Sequence, residues 1–466
     1  MTESFSSLLD TAARRRADAP ALVWDGGAMT WRELDLRAGG AARRLSRRGV
    51  RAGDSVALLL PNGWGFVAAL WGALKLGATA APLNPLLSAD ERDKILAHLE
   101  PALVVDEPPG DDAAAWDSVD GKAPALVLYT SGSTGRPRGA VLSHAALRVA
   151  NESWAGPVMR LTPGDVVMAV LPLAHSFGLN GALLAPLLAG ATVVLNERFI
   201  PESALRAISR HRVTVFPAVA TMFQRMLDLP DLSETTCSTL RLAVSGAAPC
   251  PWELAEAWRR RSGVRIVRGY GMTELFRPIS YLADDPTDLR DAIGRPVPGV
   301  EVRVVDEDGR ALGAGETGEL WIRTPAVMDG YLRDEEETRA VIQNGWFRTG
   351  DLGTLSAEGF VSVVGRKKDL ILRGGYSVVP GEVEAALLDH PAVAEAAVVG
   401  TPDALLGEEI AAFVTLRPGA RADAPELVSF CRKRLAAFKY PRRVSIVTEL
   451  PKSATGKVLK WRLGSL

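Results

Sequence analysis

The sequence predicts an α/β protein, and three observations carry that reading. Short apolar runs recur along the chain, each leading into helical periodicity: DSVALLLPN, LVVDE, ALVLYT, VVMAVLP, ATVVL, VTVFPAV and LRLAVSG. Runs that apolar, without strict alternation, belong to strands covered on both faces. Hydrophobic residues make up 47% and charged residues 23% of the 466, a composition with ample core and no disorder signature. Finally, 54 Lys plus Arg against 55 Asp plus Glu give a net charge of -1, which excludes the basic footprint of a nucleic-acid binder.

In chain order, MTESFSSLLDTAARRRADAP places its basic cluster after its apolar residues. That is the reverse of a secretory signal, so the segment reads as a surface helix. FVAALWGALKLGATAAPL, interrupted by Lys75, and GALLAPLLAGATVVL, interrupted by Pro186 and Gly190, each read as a helix followed by a buried strand. Neither offers the roughly 20 apolar residues of a spanning helix. Residues 106–122 are acidic and rich in Pro and Gly, which predicts a solvated loop. From Gly294 the chain turns to short strands, with DEDGR carrying the Asp-Gly signal of a hairpin. After Gly365 a compact α+β segment follows. Cys237, Cys250 and Cys431 are scattered with no CxxC, so neither a disulfide framework nor a zinc cluster is indicated, and a reducing, cytoplasmic setting fits.

The chemistry begins at Tyr129. A buried strand runs into Thr130, Ser131, Gly132, Ser133, Thr134 and Gly135, closed by Arg136, Pro137, Arg138 and Gly139. Hydroxyls, backbone N–H groups that glycine leaves approachable, and a cation are what a polyphosphate needs. The same composition also suits an ordinary surface turn. GxxxxGK[ST] is absent here, so this is not a Walker loop.

YTSGSTGRPRG resembles the phosphate signature of the acyl-adenylate-forming superfamily, and companion motifs occur in order. They are GDSVALLLPNGWGFVAALWGALKLGATAAPLNP, LPLAHSFGL, SGAAP with RGYGMTE, WFRTGDLG, GRKKDLILRGGYSVVPGEVE and PKSATGK. The resemblance spans Trp31 to Lys457 and falls in the acyl-CoA synthetase branch. It implies a large N-terminal region, 1–367, of stacked α/β sheets plus a β-barrel-like subdomain, and a small mobile α+β C-terminal domain, 368–466.

It also implies a two-step reaction: a carboxylic acid attacks the α-phosphate of ATP to give acyl-AMP and pyrophosphate, then passes to the thiol of CoA. An acyl carrier protein is the alternative acceptor. A catalytically silent nucleotide-binding relative is the reading from another class, which the presence of Lys457, Glu274 and Asp351 disfavours. By resemblance, Glu274 holds Mg2+, a hard cation that prefers carboxylate oxygens, and Thr273 donates to the α-phosphate. Outside the motif a Thr-Glu pair would read as a helix cap. Gly246, Ala247, Ala248 and Pro249, with Gly269, Tyr270 and Gly271, would wall the adenine. Asp351 and Arg366 would take the ribose, although singly they read as a turn aspartate and a surface arginine.

Lys457 would enter for adenylation as a compact charge on a long stem. Lys368 would be the hinge on which the C-terminal domain rotates for thioester formation. Gly374 and Gly375 would line the pantetheine tunnel, or else form a hairpin turn. His175 would gate the acyl site, its bland alternative being a core histidine. Ala174, Ser176 and Phe177 bring no acid beside it, which disfavours an amino-acid substrate. Two departures stand out. Arg138 replaces the usual lysine of the phosphate loop, and Phe276 and Arg277 occupy acyl-pocket positions. There Arg277 would meet a second carboxylate of the substrate, or turn to solvent, or pair with Asp284.

Overall fold

The computed structural model describes residues 4–110, 112–118, 124–131, 137–285, 289–374, 376–452 and 458–463. Two compact units emerge, one from 1–301 with 322–347 and one from 302–321 with 348–466. All seven apolar runs form strands, and in the first unit they build two sheets.

The larger sheet has seven strands, in the order Ile266–Val267, Leu242–Ser245, Val215–Ala218, Val166–Ala169, Thr192–Leu195, Pro20–Trp24 and Gly27–Thr30. All neighbours are parallel except the last pair, a hairpin. Phe216, Phe223 and Trp258 pack edge to face over one side, within a cluster that includes Met168, Ile208 and Ile266. The second sheet has six strands, in the order Gly330–Tyr331, Pro137–Leu142, Leu126–Ser131, Thr79–Pro82, Ser55–Leu58 and Leu103–Val105. Its last four are parallel, and the two at the other edge are antiparallel. The strand Leu126–Ser131 therefore leads into a hairpin, not into the helix that the pattern of its fellows predicts.

Helix starts follow local chemistry. Thr30 Oγ1 accepts from Glu33 N while the Glu33 carboxylate accepts from Thr30 N, and Ser88 with Glu91 repeats the arrangement. This reciprocal cap fixes the first turns of Trp31–Arg47 and Ala89–Leu99. The helix Trp64–Leu76 is apolar all round and buried, Lys75 included. Lys75 Nζ lies 2.7 Å from Asp10, 2.8 Å from Asp35 and 3.0 Å from the Trp116 carbonyl.

Two expectations gain detail there. The N-terminal helix, Phe5–Arg15, is the expected surface helix, with Phe5, Leu9 and Ala13 buried on one face and Arg14 and Arg15 exposed. Residues 112–118 are the expected loop, without helix, strand or a buried residue. Their backbone lies on the helix Trp31–Arg47, where a Cβ on Gly39 would come within 1.9 Å of the Ala114 carbonyl oxygen, and Ser118 donates to Asp10 at 2.6 Å. Asp112, Ala113, Ala115 and Asp117 face solvent.

In the second unit, residues 302–305, 318–321 and 348–355 lie side by side, and Val361–Arg366 is antiparallel to the last. The other sheet runs Tyr376–Val378, Ile371–Arg373, Gly407–Leu416, Val393–Asp403, with Arg443–Ile446 parallel to Gly407–Leu416. Helices Pro380–Leu388 and Ala424–Arg432 cover it through Val383, Leu387 and Leu427. Lys367–Asp369 is a short turn between Val361–Arg366 and Ile371–Arg373, and the expected boundary at 367/368 falls on it.

Candidate active site

Thr130 pairs with Arg138 and Ser131 with Pro137 across two antiparallel strands, which sets Arg138 opposite the first hydroxyl residue of the motif. Gly132, Ser133, Thr134 and Gly135 lie outside the described residues. Arg138 Nη1 sits 2.6 Å from Glu337 Oε1, and its guanidinium lies 5.6 Å from the Tyr331 ring centre.

Glu274 is on a second hairpin, formed by Gly269–Met272 and Phe276–Ser280 with Thr273, Glu274 and Leu275 at its tip. The Thr-Glu pair is thus a hairpin tip and not a helix cap. Gly271 is required there, since a Cβ would meet the Phe276 carbonyl oxygen at 1.9 Å. Phe276 takes a left-handed φ of 58°, strain that the tight return imposes. Glu274 Oε1 accepts from the Tyr331 hydroxyl at 2.9 Å, and its main-chain oxygen accepts from Met328 N at 2.8 Å. Burial, then the Glu274 carboxylate beside it, pushes the Tyr331 phenol far up, so it is a hydrogen-bond donor throughout the working range.

Arg277 points inward from the same hairpin. It neither reaches solvent nor pairs with Asp284, which is bound by Arg160. It is 6% exposed. Its Nε donates to Ser280 Oγ at 2.9 Å, Nη1 to the Ser245 carbonyl at 2.8 Å and Nη2 to the Val267 carbonyl at 3.2 Å. Those carbonyls end two neighbouring parallel strands, paired Val244 to Val267, where the sheet's own ladder has run out. The guanidinium also covers Trp154 at 4.9 Å, and Trp154 stacks on Phe177 at 5.5 Å. Burial lowers the Arg277 pKa to about 9, still well above neutrality, so the cation persists.

The segment after Leu242–Ser245 is shaped by that cation. Gly246 is buried, and a Cβ there would lie 3.1 Å from Arg277 Nη1 and 3.3 Å from the Phe177 ring. On Gly269 a Cβ would lie 2.3 Å from Arg277 Nη2. Ala247 and Pro249 are exposed and Ala248 half-buried, with Ala247 at a left-handed φ of 64°. Tyr270 is half-buried on the same strand as Gly269. His175 begins the turn into the helical segment Gly178–Leu184, its carbonyl accepting from Leu179 N. Burial lowers the His175 pKa, which keeps the ring neutral at pH 7.

In the second unit Asp351 and Arg366 face each other across paired strands, Asp351 Oδ1 to Arg366 Nε 2.9 Å, with Asp351 only 3% exposed. Their spacing of fifteen residues in sequence is the length of this hairpin. Glu319 stands beside them, accepting from Gly350 N and 3.4 Å from Lys367 Nζ. Lys368 is exposed. Gly374, at φ +56°, lies in the hairpin loop between Arg373 and Tyr376; Gly375 and Lys457 lie outside the described residues.

A cluster of three or more metal-ligating side chains is absent among the described residues. Mg2+ is usually held by one or two carboxylates plus substrate phosphates, a demand to which a carboxylate such as that of Glu274 is chemically suited. No helix among the described residues is long and apolar enough to cross a membrane. Trp154, Glu319, Tyr331 and Glu337 were not foreseen. Trp154 and Tyr331 carry no local signal, Glu319 sits in an unremarked strand, and Glu337 lies in an acidic run that reads as a helix's first turn.

Arg138 and Glu274 meeting on Tyr331 in one unit, with an acid–guanidinium pair in the other, agree with the adenylate-forming class to which the motifs point. The AMP-binding enzyme model matches residues 9–120 and 106–332, and the AMP-binding enzyme C-terminal domain model matches 382–457. The chain belongs to this family, in its acyl-CoA synthetase branch, as an ATP-dependent, AMP-forming acid–CoA ligase. It is 35% identical to a feruloyl-CoA synthase of an Amycolatopsis species, with 96% of each chain covered. It is 34% identical to a sulfoacetate–CoA ligase of Cupriavidus necator, covering 99% of this chain and 97% of that one. The ATP-bound structure of MatB from Rhodopseudomonas palustris superposes with a TM-score of 0.92 at 30% identity, over 99% and 98% of the two chains.

Proposed function

We propose that this ligase activates a carboxylic acid bearing a second anionic group, and that Arg277 receives that group. The observation behind this reading is the burial of Arg277 without a carboxylate partner among the described residues. A buried charge left uncompensated is costly, and a guanidinium has five N–H donors, of which backbone carbonyls and Ser280 take three. A substrate anion would supply the missing charge. Of the two similar enzymes above, one is named for sulfoacetate, whose sulfonate is such a group, and the other for feruloyl-CoA.

In the first step charge builds on phosphate oxygens, so the protein's task is positioning and electrostatic stabilisation. Thr130, Ser131, Gly132, Ser133, Thr134, Gly135 and Arg138 cradle the phosphates, Thr273 donates to the α-phosphate, and Glu274 would hold the Mg2+, which would supply positive charge to the triphosphate. Gly246 to Pro249 and Gly269 to Gly271 flank the adenine. Asp351 and Arg366 take the ribose, and His175, neutral, borders the acyl site. Lys457 supplies the cation at the carboxylate. In the second step the domain 368–466 turns about Lys368, and Gly374 and Gly375 leave room for the pantetheine arm.

The test is pyrophosphate release with ATP and Mg2+ across aliphatic, aromatic and dianionic acids, each with and without CoA. Dianionic acids are expected to lead, with CoA accelerating turnover. Arg277→Met should erase their advantage over monocarboxylates. An unchanged ranking in Arg277→Met would refute the assignment and leave Arg277 as a brace on the strand ends. Acid-dependent release indifferent to CoA would point to a carrier-protein acceptor.

A further inference from the structure

We infer that Tyr331 is a positioning residue for Glu274, and that through it the phosphate hairpin and the glutamate hairpin are held in one register. The inference rests on the reading of Glu274 as the Mg2+ carboxylate. It starts from the short strand Gly330–Tyr331, which pairs antiparallel with Pro137–Leu142, Gly330 to Val141 and Tyr331 to Ala140. That pairing ties Tyr331 to the strand that also carries Arg138. Just upstream, Met328 N donates to the Glu274 main-chain oxygen at 2.8 Å, so the same few residues are fastened to the tip of the second hairpin. Downstream, Tyr331 N donates to Thr338 Oγ1 at 2.9 Å, and Asp334 caps the helix Glu335–Val341 by accepting from Glu337 N. Tyr331 is thus anchored on both sides.

Its side chain then does two things. The hydroxyl donates to Glu274 Oε1 at 2.9 Å, and the ring lies under the Arg138 guanidinium, whose other partner is Glu337 at 2.6 Å. A carboxylate at the tip of a turn can rotate about its side-chain bonds, with about four lone-pair sites to offer. One donor fixed by the sheet selects the rotamer and leaves the remaining lone pairs at a constant direction. Partners of this kind, standing behind a metal-binding carboxylate, are worth about 10–100-fold in metal affinity.

The experiment compares wild type, Tyr331→Phe, Glu274→Gln and the double variant. The readouts are the Mg2+ half-saturation of acid-dependent pyrophosphate exchange and, without acid, the Mg2+ dependence of ATP binding by calorimetry. Tyr331→Phe keeps the ring beneath Arg138 and removes only the hydroxyl, so it should raise the Mg2+ requirement about 10-fold or more while leaving the KM for the acid unchanged. The double variant should match Glu274→Gln alone, because the hydroxyl acts only through that carboxylate. An Mg2+ dependence unchanged in Tyr331→Phe but lost in Glu274→Gln would overturn the role of Tyr331 and spare that of Glu274. Wild-type Mg2+ dependence in Glu274→Gln would overturn both. Additive losses in the double variant would mark Tyr331 as a packing residue acting through the fold, and would likewise overturn the inference.

Discussion

Gly269→Ala tests whether Arg277 dictates the residue opposite it. The added Cβ would lie 2.3 Å from Nη2, 2.4 Å from Cζ and 2.6 Å from Nε of Arg277, so the guanidinium must withdraw. Withdrawal breaks its bonds to the Ser245 and Val267 carbonyls, leaving two buried acceptors at about 1–3 kcal/mol each, and overpacking adds about 1–3 kcal/mol. The single variant should therefore lose at least about 3 kcal/mol of stability. Arg277→Met sacrifices the same bonds but relieves the buried charge, so it should lose less. In the double variant the flexible methionine yields to the new methyl group, and most of the Gly269→Ala penalty should vanish. The assay is urea unfolding followed by tryptophan fluorescence, to which Trp154 under Arg277 contributes. A favourable coupling of about 2 kcal/mol is expected. Penalties that add to within about 0.5 kcal/mol would refute the argument and assign the glycine to another constraint.

Two further outcomes follow from buried charges. Lys75→Met strands Asp10 and Asp35 around an apolar side chain, Asp10 with only 9% of its side chain exposed, and should cost about 3–5 kcal/mol in the same unfolding assay, with Lys75→Met/Asp10→Asn/Asp35→Asn recovering much of the loss; no loss in Lys75→Met would show the trio to be without structural weight. His175, its folded pKa lowered by burial from the ordinary 6.5, makes the unfolded chain the better proton binder just below that value, so its contribution is full above about pH 6.5 and is lost as pH falls. The stability difference between wild type and His175→Asn should be flat above that pH and shrink below it. His211, lowered by burial as well, is common to both proteins and cancels, so a difference that grows on acidification would contradict the neutral, buried ring.

What a few neighbouring residues encode could be read directly. The apolar runs became strands because β-branched and aliphatic stretches bounded by Gly, Pro and Asp need no distant information. The span from Asp351 to Arg366 proved to be one hairpin, which places the two side chains opposite each other. The motif order carried the family and its phosphate and glutamate segments. What stayed hidden is what the environment, not the residue, decides. The acidic stretch 112–118 satisfies any local rule for a loop, yet its backbone lies on a glycine face of a helix more than seventy residues earlier. For Arg277 the sequence left a substrate carboxylate, solvent and Asp284 open, and the ends of two parallel strands, whose carbonyls take a buried donor, remove the last two.

The sequence by itself thus determined the elements, their class and the family. Which side chains meet was decided by the tertiary structure alone: Tyr331 with Glu274 across 57 residues, Lys75 with Asp10 and Trp116, Arg277 with Ser245 and Val267. Secondary structure is set by periodicity and turn chemistry over a few residues, whereas the partner of a buried polar group is whatever donor or acceptor the packed sheets leave within hydrogen-bond reach.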